Sequence, residues 1–174
     1  MTRPSDTKSR IQEVARELFL RQGVQHTSLR QISERLGITK PALYYHFNSR
    51  EALLRSVVQP LIDELENFIA ERRPGPPEEL LADYFDLAWR HRDVLMMIVS
   101  DLTVLTELDL VSRMLAWRES LITLLVEPGA GPAARIHATV AAGGLSDCVV
   151  QYAELPFEEV KTAAVEAAVA ALKP

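Results

Sequence analysis

The stretch LRQISERLGITKPALYYHF, residues 29–47, decides how this chain folds. Leu29, Ile32 and Leu36 recur at helical spacing, so they share one side of a short helix. Gly37 follows, where a turn needs a left-handed backbone that a side chain disfavours. Thr39 can then cap a second short helix, with Pro41 in its first turn, where a missing N–H costs little. Ile38 and Leu43 are apolar where the two helices must pack, and Ser33 is small where they approach. This is helix-turn-helix spacing. With those residues turned inward, Thr39, Lys40, Ala42, Tyr44, Tyr45 and His46 point outward or along the rim, in a chain that is only 6% aromatic. A helix of about eight residues is roughly 12 Å long and enters a major groove of about that width end-on. Its N-terminus offers free N–H groups and a positive dipole end to phosphates. Tyrosine hydroxyls and lysine then bond phosphate oxygens, and Ala42 meets base edges or a thymine methyl.

The surrounding sequence extends the helical pattern in both directions. Ile11, Val14, Ala15, Leu18 and Phe19 mark one face of a leading helix, with Ser5 or Asp6 able to cap it and Gly23 placed to end it. Thr27 or Ser28 caps the next. Asn48 can cap a fourth helix, with Glu51 reaching back as in a capping box. Apolar positions continue from Leu53 to Ile69, but Pro60 lies inside the run and predicts a kink or short break near 56–60, a candidate point of flexure. RRPGPP at 72–77 breaks the chain, and further helices are expected at about 78–92, 94–101, 107–126, 133–153 and 157–172. No alternating strand pattern of useful length occurs. The expected class is all-α: three helices over 1–50, joined by a long fourth helix to a further helical part over 51–174.

Composition fits this reading. The chain has 174 residues, is 48% apolar and contains 7 Gly and 10 Pro, which suits a mostly helical globule. Its one cysteine, Cys148, excludes an internal disulfide framework and any multi-cysteine metal site, and fits a reducing cytoplasm. MTRPSDTKSR does not have the pattern of a secretory signal, and VLMMIV at 94–99 is too short to cross a bilayer. The net charge of -5 hides an asymmetry. Residues 1–55 hold 10 Lys+Arg against 5 Asp+Glu, whereas 56–174 hold 9 against 19. A cationic binding module on an acidic body has this distribution; so does an ordinary basic-leaning surface.

At residues 27–54, TSLRQISERLGITKPALYYHFNSREALL resembles the DNA-binding signature of TetR-type transcriptional repressors. The Gly-Ile-Thr turn, Leu-Tyr-Tyr-His-Phe and the basic-Glu-Ala-Leu-Leu entry into the fourth helix carry the likeness, which with the leading helix spans 8–56. The resemblance implies that Ser28 or Thr27 binds phosphate and that Arg30 reaches phosphate or a base. It implies that Thr39, Lys40, Pro41 and Ala42 face the groove, and that Tyr44, Tyr45 and His46 fix the DNA backbone. Arg50 stands where members commonly have lysine, keeping the charge for phosphate. The resemblance further implies a homodimer built on the last two helices, a palindromic operator in double-stranded DNA, and a small-molecule effector that moves the fourth helix. Members diverge over the C-terminal part and this chain is short, so a reduced ligand cavity, or none, is also compatible with it.

Several residues carry two readings on sequence alone. Tyr84, Phe85, Trp89, Met96, Met97, Met114 and Trp117 either line an effector pocket or form ordinary core. AAGGL at 141–145 and TAAVEAAVAAL at 162–172 offer small side chains for close helix approach, between subunits or within one. His46 contacts phosphate or caps its helix, and Tyr44 contacts phosphate or packs on the leading helix. His91, His137, Asp101 and Asp147 are polar anchors or satisfied surface groups. Arg3, Lys8 and Arg10 form a minor-groove arm or disordered surface. GxGxxG, P-loop, HExxH and GxSxG are absent, and the four histidines lack ligand spacing, so no catalysis, cofactor or metal is expected. Beside the repressor stand an activator and an interaction protein of the same fold that has lost DNA binding.

Overall fold

The computed structural model describes residues 4–73 and 75–173, so Arg3 and the side chain of Ser5 lie outside the described residues. Ten helices and no strand occur among the described residues: α1 (Pro4–Gln22), α2 (Leu29–Leu36), α3 (Lys40–His46), α4 (Arg50–Glu71), α5 (Pro77–Arg90), α6 (Arg92–Ser100), α7 (Thr103–Glu107), α8 (Val111–Leu125), α9 (Pro132–Gln151) and α10 (Phe157–Ala171). They form two compact units, one of residues 1–62 with 93–110 and the other of 63–92 with 111–174. The compact units are thus cut elsewhere than at residue 50. α4 begins in the first and ends in the second, and α6 and α7 group with the N-terminal helices.

In the first unit, Ile11, Ala15, Phe19, Ile32, Leu43 and Phe47 are buried, so α1, α2 and α3 pack through the apolar positions expected of them. α1 already starts at Pro4, ahead of the cap expected at Ser5 or Asp6. Lys8 and Arg10 lie within it, so the reading of these two as a disordered segment gives way to helix. The α4 cap is Ser49 rather than Asn48: its Oγ accepts from the Ala52 N–H at 3.0 Å, while Glu51 pairs with Arg55 instead of reaching back.

The break expected near Pro60 does not occur, since α4 is continuous from Arg50 to Glu71. Proline has no N–H to give the carbonyl four residues earlier, that of Ser56. Gln12 of α1 supplies the missing donor, its Nε2 reaching the Ser56 carbonyl at 3.1 Å.

The helix expected over 107–126 begins only at Val111, and ahead of it lies α7, a short helix not expected from the sequence. α7 closes with Asp109 in the left-handed region (φ 53°), the Asp109 N–H bonding to Thr106 and the Leu110 N–H to Leu105 at 2.8 Å. This is a Schellman closure with aspartate where glycine is commoner, and it buries Leu108 and Leu110.

The second unit packs α10 on α9 and α5, and α8 on α9. Its centre is aromatic: the Phe85 and Trp89 rings stack at 5.6 Å, and Phe157 lies 6.0 Å and 5.6 Å from them. Leu81, Leu145 and Val149 are buried in the same unit, and Lys161 pairs with Asp86 at 2.7 Å.

Candidate nucleic-acid interface

α2 and α3 are held by their caps. The Ser28 side chain accepts from the Gln31 N–H at 3.2 Å while Gln31 Oε1 accepts from the Ser28 N–H at 2.8 Å, a complete capping box. Gly37 ends α2 in the left-handed conformation (φ 65°, ψ 28°), and its N–H and that of Ile38 bond back to α2 carbonyls. Thr39 caps α3 through its hydroxyl, which accepts from the Ala42 N–H at 3.3 Å. These local devices orient α3 so that Leu43 is sealed while Tyr45 is 83% and Tyr44 51% exposed.

Ser28, Arg30, Thr39, Lys40, Pro41 and Ala42 are also exposed, so most of the expected contact residues stand together at the surface of two adjacent helices. Arg30 is paired with Glu34 at 2.7 Å, and that bond and charge push its guanidinium pKa further up. His46 is half-buried with Tyr45 edge-on to its ring at 5.2 Å. Lys8 stands over the Phe47 ring at 5.8 Å.

Two expected residues sit differently. Thr27 is only 2% exposed, and its hydroxyl donates to the Gly23 carbonyl at 2.9 Å and accepts from Gln22. The α2 cap is therefore Ser28, while the Thr27 hydroxyl is spent on closing the α1–α2 turn. Arg50 is half-buried. Its Nη2 pairs with Glu107 at 3.2 Å and its Nη1 bonds the carbonyls of Val24 and Gln25 at 3.4 and 3.5 Å.

Of the residues expected to line an effector pocket, Met97 is buried and Met96 half-buried in the first unit. In the second, Phe85 and Trp89 are committed to the aromatic stack. The Tyr84 hydroxyl meets Ser146 at 2.9 Å, and burial pushes its pKa up against the opposing effects of that bond and Arg118. Met114 is open to solvent and Trp117 lies under the Arg113 guanidinium. A groove of about 510 Å³ is lined by Phe68, Leu87 and charged residues including Glu64, Arg72, Asp86 and Arg90, none of them among the seven. Cys148 is half-buried, its thiol pushed up first by burial and then by Asp147. Among the described residues no cluster of three His, Cys, Asp or Glu side chains can hold a metal, and no helix is long and apolar enough to cross a membrane.

Sequence reasoning did not find the Asp101, Thr103 and Glu107 contacts with the α1–α2 loop, since they join residues about eighty positions apart. The only local signal was that 93–110 holds four acidic residues and no Lys or Arg.

A short capped helix that buries Leu43 on one side and turns its tyrosines outward, packed on a second short helix across a glycine turn, defines the class of helix-turn-helix proteins. Residues 11–57 match the profile of the family described as bacterial regulatory proteins, tetR family. The chain is 35% identical over 81 residues to the HTH-type transcriptional regulator AcrR of Shigella flexneri, covering 45% of this chain and 38% of that protein. Among solved structures, a transcriptional regulator from Aquifex aeolicus VF5 superposes with a TM-score of 0.74 at 24% identity, over 92% of this chain and 96% of that one. The SmeT–triclosan complex does so with 0.63 at 22%, over 95% and 90%. Over residues 11–57 the chain is thus similar to the DNA-binding region of TetR-type transcriptional regulators, and its overall fold is like theirs. Its sequence matches span between 25% and 50% of the lengths of these curated relatives.

Proposed function

We propose that this chain is a sequence-specific DNA-binding regulator: a homodimeric repressor that meets a palindromic operator through α3 and releases it when a small molecule binds the C-terminal part. The observation that carries the reading is the division of labour within α3, where Leu43 is sealed and Tyr44 and Tyr45 stand free behind a Thr39 cap. Large side chains left in water on a seven-residue helix contribute little to folding, and with Lys40 and the α3 N-terminus they make a surface suited to phosphate and base edges. Ser28 and Arg30 on α2 extend it. Residues 1–50 are the part that meets DNA, and 51–174 the part that binds effector and pairs subunits.

Pairing through the last two helices is supported by what they leave uncovered. Ile136 and Val140 on α9 are each 59% exposed, with Gly144 one turn on, and α10 exposes Ala163, Ala167 and Ala170. Small and apolar residues at helical spacing suit a four-helix interface with a second copy. One recognition helix touches too few base pairs for useful specificity, whereas two about 34 Å apart span successive turns of the groove. Effector control is supported by the solved SmeT complex with triclosan and by α4, whose single helix belongs to both compact units. An effector that favours one arrangement of α4 shifts the population of dimers able to span both half-sites.

Selection of bound sequences from a random duplex library, followed by the salt dependence of affinity for the winner, tests this. The expected result is a palindrome with half-sites about one helical turn apart and affinity falling steeply with salt. No enrichment and a flat salt response would leave a TetR-type fold without DNA binding.

A further inference from the structure

The first unit contains an acidic strap. Residues 93–110 carry Asp93, Asp101, Glu107 and Asp109, without a single lysine or arginine. Three of these four carboxylates are engaged by residues 1–62. Asp93 pairs with Arg16 at 3.1 Å. Asp101, between α6 and α7, accepts from the Thr103 hydroxyl at 2.6 Å and from the backbone N–H groups of Val24 and Gln25. Its Oδ2 approaches Gly23 closely, 4.0 Å from where a Cβ on that residue would stand. Glu107 takes both Gln25 and Arg50 on its Oε1, while its Oε2 is buried without a partner among the described residues.

The Gly23–Gln25 loop is therefore gripped on two edges. The N–H groups of Val24 and Gln25 go to Asp101, and the carbonyls of the same two residues go to Arg50, whose other arm is tied to Glu107. A guanidinium can serve three acceptors in one plane; an ammonium at the end of a flexible stem cannot hold the same set. The loop leads directly into Thr27 and the Ser28 cap of α2, and Arg50 is the first residue of α4. The arginine thus sits where the α1–α2 turn, the start of α4 and the strap meet.

We propose that Arg50 is a positioning residue and not a phosphate contact: it latches the 93–110 strap to the Gly23–Gln25 loop, and the latch sets where Ser28 and the start of α4 stand when DNA is met. This rests on the DNA-binding reading above and adds a second route, besides α4 itself, by which a change in the strap reaches the recognition surface. Asp101 and Glu107 are its other two positioning residues.

The test compares Arg50→Lys, Arg50→Ala and Glu107→Gln with the unaltered chain, by amide hydrogen exchange over residues 23–28 and by affinity for a mixed-sequence DNA duplex across a range of salt. Arg50→Lys keeps the charge a phosphate would need and loses the planar fork. The latch requires Arg50→Lys and Glu107→Gln each to speed exchange at Val24, Gln25 and Thr27 by roughly tenfold, the scale of one lost charge-assisted hydrogen bond. It also requires both to weaken DNA binding by similar factors with the salt slope unchanged, and the double variant to be no worse than either single one. Wild-type exchange and affinity in Arg50→Lys would overturn it. So would a salt slope reduced by about one in Arg50→Ala together with tighter binding in Glu107→Gln, because that pair of results marks a phosphate contact held back by the strap. If the unaltered chain binds no duplex, the DNA-binding reading fails, and loop exchange alone still decides whether the latch exists.

Discussion

Pro60 sits inside α4 without breaking it, and the cause can be measured. The Ser56 carbonyl, deprived of its helical donor, is answered by Gln12 at 3.1 Å from another helix. Replacing Gln12 with alanine leaves a partly buried acceptor unpaired, which costs about 1 kcal/mol, the low end of the range for such a group because this one is not fully sealed. In a chain of this size that lowers the melting temperature by roughly 2–4 °C. Replacing Pro60 with alanine restores a backbone N–H to the same carbonyl, and residue 60 is exposed, so no core packing is lost. In that background Gln12 is redundant and Gln12→Ala costs close to nothing. The double-mutant cycle, followed by circular dichroism in urea, should therefore show a coupling of about 1 kcal/mol. Equal losses in the two backgrounds, additive to within about 0.5 kcal/mol, would refute the account and leave the continuity of α4 across its proline unexplained.

Other expectations concern the recognition surface and its supports. Tyr45→Ala should change the urea midpoint by no more than a surface substitution does, within about 0.5 kcal/mol, yet weaken DNA binding about tenfold or more per recognition helix; unchanged binding by fluorescence anisotropy would remove Tyr45 from the interface. A Cβ on Gly37 would meet nothing within 4 Å, so Gly37→Ala should cost only the left-handed backbone penalty of about 1–2 kcal/mol, measured by thermal melting, and a larger loss would contradict the open space seen there. The Thr103 hydroxyl first, and then the backbone N–H groups around it, hold the Asp101 carboxyl below the usual carboxylate range against an opposing burial effect. Its pKa is lower folded than unfolded, so its contribution is fully present above the ordinary carboxylate value and is lost as pH falls through the depressed one. Asp101→Asn should accordingly shrink the acid limb of the stability–pH curve and leave its shape near neutrality alone; an unaltered acid limb would separate Asp101 from loop stability.

How much of the fold and the interface is visible in the sequence depends on how far apart the interacting residues lie. The Gly37 turn and the Thr39 cap are set by neighbours a few residues away, and both are legible. Caps offered by adjacent polar residues are not separable: Thr27 against Ser28 and Asn48 against Ser49 differ by one position, and only burial and the hydrogen-bond partner choose between them. The α7–α8 turn is hidden because it depends on a left-handed Asp109, a conformation that the residue type does not announce as glycine would. Pro60 misleads for the opposite reason. The proline is local, and the donor that repairs its effect lies 44 residues earlier. Arg50 takes a role from its place in a motif, and the partners that bear on that role come from 93–110, beyond the motif.

The placement of the tryptophans has a consequence for watching this chain unfold. Trp89 lies in the aromatic stack and Trp117 under Arg113, both in the unit of residues 63–92 and 111–174, and the chain has no other tryptophan. Indole emission is thus a private signal of that unit, whereas the far-ultraviolet helical signal sums over both. The helix-turn-helix unit has Tyr44 and Tyr45 as its own chromophores, in water. If the two compact units melt as one, the indole and helical curves coincide; if α4 lets them part, the indole curve keeps its own midpoint, and the optical difference between them reports how strongly the fate of one unit is bound to that of the other.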